Sequence, residues 1–118
     1  NLLIQIGAAS IVTTGYNSTG TISDNGSASV SSTAGFIVRK AASNMVCYGR
    51  MELLLMDATN NVWVSSHGMS QIGGASGPGQ LSGAGTLSLG SGNVLQRVRI
   101  TTTATDSFNA GSINILYE

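Results

Sequence analysis

Charge is what this chain has least of. Only 8% of its 118 residues are Asp, Glu, Lys or Arg, five of each sign, so the formal net charge is zero. Soluble domains average about 25% charged residues. Nucleic-acid binding needs a basic footprint, and the only basic clusters are Arg39 with Lys40 and Arg97 with Arg99. The second pair occupies alternate strand positions and reads as a solvated strand face, so no nucleic-acid partner is expected. The single cysteine, Cys47, excludes an intrachain disulfide and reads as a buried free thiol. With no apolar run of 18 residues, no helical membrane insertion is expected, and no signal peptide is visible.

Serine, threonine, asparagine and glycine fill the place of charge, while 42% of residues stay hydrophobic. The apolar runs at residues 2–6, 36–38, 53–56 and 113–116 are too dense for a disordered chain. The length suits one domain over residues 1–118, with a modest core and a neutral, polar surface.

Sixteen glycines and one proline punctuate short alternating or apolar segments. Spacing of roughly 8 to 12 residues between turn signals predicts an all-β protein, an antiparallel sandwich with little or no helix. Strands are predicted at residues 2–6, 10–14, 35–40, 45–58 with a bend at Gly49, 61–66, 69–72, 85–89, 94–103 and 111–117. Thr59, Asn60 and Asn61 make a turn, because Asn tolerates left-handed backbone angles. Residues 17–33 and 73–92 are polar and glycine-rich and read as long surface loops. The last two strands, joined through Ala104, Thr105 and Asp106, are expected to form a hairpin over residues 94–118 that closes the sheet.

Residues 51–56 are apolar on both alternating faces, with Met51, Leu53 and Leu55 on one side and Leu54 and Met56 on the other. A strand apolar on both faces must be covered on both. One face can serve the core, and a neighbouring subunit is the economical cover for the other, so Leu53, Leu54, Leu55 and Met56 are core or subunit-interface candidates.

Three segments carry a family likeness: MELLLMDATNNVW at residues 51–63, RVRITTT at 97–103 and SFNAGSINILYE at 107–118. In this wording the chain, over residues 48–118, resembles the C-terminal receptor-binding tip domain of bacteriophage tail fibres of the contractile-tailed type. The resemblance implies a jelly-roll-like sandwich assembled as an intertwined or side-by-side homotrimer. It implies a place at the distal end of the fibre in the virion, after synthesis in the host cytoplasm, with an upstream fibre shaft as partner. Beginning at Asn1 without Met, the chain is expected to be a piece of a longer protein. The expected function is host recognition by non-enzymatic binding to a bacterial surface polysaccharide or lipopolysaccharide. A purely structural trimerisation cap is the alternative, and a glycan depolymerase a third.

No constellation for catalysis stands out. Asp24, Asp57 and Asp106 each read as turn-capping residues rather than a glycosidase pair. His67 lacks a nucleophile-elbow or cysteine-protease signature around it. The pairs Gly73 with Gly74 and Gly77 with Gly79 lack the Lys-Ser/Thr of a phosphate loop. Three His67 side chains around a three-fold axis could meet at a metal, but no repeated His motif supports this, and a solvent-facing His67 is expected. No cofactor and no metal are predicted.

Carbohydrate contact is better supported. Trp63 shares a strand face with Ser65 and His67, where an indole could stack on a sugar ring among neutral hydrogen-bonding groups, although a core or interface role is favoured for it. Tyr16, Asn17, Asn60, Asn61, His67, Gln71 and Gln80 complete the set of candidate ligand contacts.

Overall fold

A computed structural model describes residues 1–39, 44–73 and 77–118. Lys40 and Gly74, named above, lie outside them. Eight strands follow one another: β1 (Leu2–Gly7), β2 (Asn17–Ser23), β3 (Ser27–Ser32), β4 (Phe36–Arg39), β5 (Met45–Asp57), β6 (Val62–Gly73), β7 (Gly79–Ser88) and β8 (Arg97–Thr102). There is no helix among the described residues, and therefore none long and apolar enough to cross a membrane. The strands form two antiparallel sheets, ordered β4-β1-β8 and β3-β2-β7-β6-β5.

Several segments depart from expectation. Residues 17–33 fold as the β2–β3 hairpin, because Ser18, Gly20 and Ile22 alternate inward against Asn17, Thr19, Thr21 and Ser23 facing out. The second glycine-rich stretch contains β7 at the centre of the large sheet, and residues 61–66 and 69–72 belong to one strand, β6. Residues 10–14 form no strand beyond a single bridge from Ile11 to Gly7. The terminal hairpin is absent: β8 pairs with β1 instead, and residues 103–118 form no strand. The β5–β6 hairpin is as expected, with Asn61 left-handed at φ 49° and the Asp57 carboxylate accepting the Thr59 and Asn60 amides.

β4 organises the interior. Its four residues are all buried, and it lies against β2, β3, β6 and β7, while its sheet partner is β1. Glycine permits this close approach. A Cβ on Gly85 would stand 2.8 Å from a ring carbon of Phe36, and one on Gly83 would stand 2.5 Å from Nε2 of His67. The apolar core gathers Ile6, Tyr16, Phe36, Leu87 and Leu89, with Met51, Leu53 and Trp63 packed at its edge. Tyr16 meets Phe36 edge to face, with ring centroids 5.0 Å apart.

One edge of β4 pairs with β1, and side chains of the large sheet terminate the other. The Ile37 amide donates to Oγ of Ser18 at 2.9 Å, and the Ile37 carbonyl lies 2.8 Å from Nε2 of His67. Next along the strand, Nε of the fully buried Arg39 donates to Oε1 of Gln71 at 2.5 Å, and its guanidinium lies 3.6 Å from Asp24. Buried backbone groups must be satisfied, which accounts for a polar row on an inward-facing strand.

Candidate functional site

The same row corrects the ligand candidates. Ser65, His67 and Gln71 are almost wholly buried, and Trp63 is half-buried against the core. The face that Trp63 shares with polar side chains is therefore the inner one. His67 is not solvent-facing. Its bond to Ile37 fixes the Nε2–H tautomer, which leaves Nδ1 buried without a partner, and burial pushes its pKa down. Tyr16 is also interior: its hydroxyl accepts from the Ile6 amide at 2.8 Å and donates to the Val12 carbonyl at 3.0 Å, and burial raises its pKa. Asn61 is buried, with its amide on the Gly90 carbonyl at 3.1 Å. Gln71 is held by Arg39 and by the carbonyls of Gly73 and Gly77. Of the eight candidates, Asn17, Asn60 and Gln80 are exposed.

Asn17 and Gln80 belong to a common surface, the outer face of the five-stranded sheet. The register lines up its outward side chains in rows across the strands. One row is Ser31, Thr19, Ala84, Ser66 and Glu52; the next is Ser29, Thr21, Ser82, Gly68 and Arg50. A third runs Ser27, Ser23, Gln80, Ser70 and Tyr48, and at the other end Asn17, Thr86, Val64 and Leu54 form a fourth. Neighbouring strands stand about 4.8 Å apart, and same-face residues about 6.8 Å apart along each strand. The result is a field of neutral hydrogen-bonding groups on β3, β2, β7 and β6, bordered on β5 by Tyr48, Arg50, Glu52 and Leu54.

Two shallow depressions of about 470 and 550 Å³ open on this face. Asn17, Thr19, Ser31 and Thr86 line the first, and Thr21, Ser29, Ser31 and Ser82 line the second. Apart from Asn17 and Gln80, these residues carry no site signal of their own in the sequence, where residues 17–33 and 73–92 read as loops. The signal that would have found them is the period-two alternation of residues 17–23, where small and apolar side chains alternate with Asn, Thr and Ser.

Apart from Tyr48, Arg50 and Glu52 on the β5 border of this face, the titratable groups lie on other parts of the fold. Asp24 faces Arg39, the Asp57 carboxylate is held in the β5–β6 turn with its pKa lowered by the Asn60 and Thr59 bonds, and His67 lies inside. Cys47 is a half-buried free thiol whose pKa burial raises. No group of three or more metal-ligating side chains occurs among the described residues.

A second feature is apolar. Among the described residues β5 is an edge strand paired only with β6, and Leu54, Leu55 and Met56 are 58%, 44% and 66% exposed. Leu53 alone of the four interface-or-core candidates packs toward the core. Comparison with protein-family models, curated proteins and solved structures finds no match.

Proposed function

We propose that this chain is a non-enzymatic, glycan-binding tip of a bacteriophage tail fibre, a jelly-roll-like sandwich working as a homotrimer at the distal end of the virion's fibre. The observation that carries the binding role is the neutral outer face of the five-stranded sheet, with its rows of Ser, Thr, Asn and Gln. Such a surface matches the hydroxyl-rich chemistry of neutral sugar units in a bacterial surface polysaccharide or in the polysaccharide part of a lipopolysaccharide. Each neutral hydrogen bond contributes only about 0.5–1.5 kcal/mol net, so binding at one face is weak and gains from three copies per tip and several fibres per particle. The low charge suits the task, since it limits nonspecific attraction to charged debris. The likeness of residues 51–63, 97–103 and 107–118 to tail-fibre tips supports the phage assignment, and the uncovered faces of β5 support assembly.

The exposed apolar residues of β5 and of the last 16 residues also favour a second reading, a trimerisation cap that ends the fibre while recognition lies elsewhere. Adsorption competition separates the two. Purified trimer added to susceptible cells before the phage is expected to bind and block infection, and the Thr21→Arg/Ser82→Arg variant, still trimeric, to do neither. A folded trimer that neither binds cells nor competes would leave the cap reading standing alone.

A further inference from the structure

Residues 103–118 are the least satisfied part of the molecule. All sixteen are exposed, with Phe108 at 60%, Ile113 at 69%, Ile115 at 62%, Leu116 at 88% and Tyr117 at 93%. Yet residues 112–118, Ser-Ile-Asn-Ile-Leu-Tyr-Glu, alternate as a strand does: Ile113, Ile115 and Tyr117 fall on one face, and Asn114, Leu116 and Glu118 on the other.

A vacant edge of matching pattern and length lies on the same molecule. Among the described residues β8 pairs with β1 on one side only and leaves its outer edge open. Its six residues also carry two unlike faces. Val98, 44% exposed, and Ile100 extend the apolar rows begun by Ile6 and Ile4 of β1, whereas Arg97 and Arg99 lie on the opposite face. Among the described residues Arg39 has Asp24, but neither Arg97 nor Arg99 has a carboxylate, and neither Asp106 nor Glu118 has a cation. Two cations without a carboxylate, Arg97 on the Ala8 carbonyl and Arg99 on Gln5, thus lie on this strand, and two anions without a cation lie on the segment that lacks a sheet.

The chain does not bring the two together by itself. The Thr103 amide donates to the Asn1 carbonyl at 3.0 Å, and the Thr102 hydroxyl to the Ala104 carbonyl at 2.8 Å. The first of these continues the β1–β8 pairing by one residue, and residues 112–118 of the same chain form no strand beside β8.

We infer that residues 112–118 of one subunit add as a strand to the β8 edge of a neighbouring copy, making its small sheet four-stranded. This rests on the proposal that the chain is oligomeric and names what joins the subunits. Ile113, Ile115 and Tyr117 continue the Val98 and Ile100 face, and Glu118 joins the arginine face. Main-chain hydrogen bonds supply the attachment, and a one-residue slip would put the isoleucines beside the arginines, so the pattern fixes the register. The exchange also closes an edge that would otherwise recruit any extended chain.

The test uses Val98→Cys with Ile115→Cys in a Cys47→Ser background, with light and isotopically heavy protein mixed, co-refolded and oxidised. Disulfide-linked peptides carrying one light and one heavy partner are expected at about half of the total, the statistical share for random mixing. Linkage only within one label means that the segment folds back on its own β8 and overturns the inference. Hydrogen exchange on the unsubstituted protein gives an independent reading: amides of residues 112–118 are expected to be protected in the oligomer. An intact oligomer with those amides unprotected overturns strand exchange while leaving assembly in place, whereas a protein that stays monomeric overturns both.

Discussion

Nε2 of His67 on β6 and the carbonyl oxygen of Ile37 on β4 are 2.8 Å apart, and this contact joins the two sheets through a side chain where no strand pairing exists. It fixes one tautomer and leaves Nδ1 inside without a partner, where burial outweighs the opposing effect of the Ile37 bond, disfavours protonation and gives the fold a dependence on pH. Burial holds the His67 pKa below its ordinary 6.5. In the unfolded chain His67 takes up a proton near 6.5, so the unfolded state binds more protons as pH falls past that value. Its contribution is therefore complete above about 6.5 and is lost progressively down to the lowered folded pKa. Denaturant unfolding from pH 7.5 to 5 is expected to show this decline, and His67→Gln to flatten it.

Asp57 acts in a lower window. Its carboxylate is stabilised by Asn60 and Thr59, so its folded pKa lies below the ordinary 3.8. What it adds is present above 3.8 and disappears as pH falls through the folded value. Asp57→Ala is expected to remove the acid-end slope while the His67 slope remains, as read from unfolding midpoints in the two ranges.

Tyr16→Phe isolates the hydroxyl that bonds the Ile6 amide and the Val12 carbonyl. The ring keeps its edge contact with Phe36, and a buried amide is left without its acceptor. A loss of about 1–3 kcal/mol is expected in chemical denaturation.

Gly85→Ala tests the seat of β4. The new methyl group would meet Phe36 at 2.8 Å and the Asn17 carbonyl at 2.9 Å, and the latter is backbone that cannot swing aside. Overpacking of this kind costs about 1–3 kcal/mol. Ala84→Ser, one residue away on the outer face, is expected to change stability by less than about 0.5 kcal/mol in the same assay.

The hydroxyl field predicts a separation of binding from stability. Thr21→Arg and Ser82→Arg sit side by side on the outer face. Like charges placed there are expected to abolish retention on a surface-polysaccharide column while leaving the melting temperature within a few degrees of the parent. Retention unchanged by both substitutions would move the binding site off this face.

The all-β class, the β5–β6 hairpin and the left-handed Asn turn were legible in the sequence because they depend on local alternation and local turn chemistry. The apolar character of both β5 faces was legible for the same reason. The two glycine-rich stretches read as loops in the sequence because their inner faces are mostly Gly and Ser, with Ile22, Leu81 and Leu87 widely spaced, so alternation carries little contrast in hydropathy. Glycine at positions 83 and 85 reads as flexibility in the sequence, whereas in the fold Gly83 makes room for the His67 ring and Gly85 for Phe36 of β4.

The sequence by itself determined that this protein is built of strands, carries almost no charge and has more apolar strand surface than a small core needs. Only the tertiary structure decided which polar residues lie inside. Tyr16, Asn61, His67 and Gln71 are of types normally found at surfaces, and they are buried because buried backbone groups and a buried arginine, brought close by distant parts of the chain, require hydrogen-bond partners. The pairing of β8 with β1, 90 or more residues apart in sequence, was likewise decided there, and it leaves the last segment without a sheet of its own. Strand partners are set by which edges meet in three dimensions, and period-two alternation says nothing about that choice.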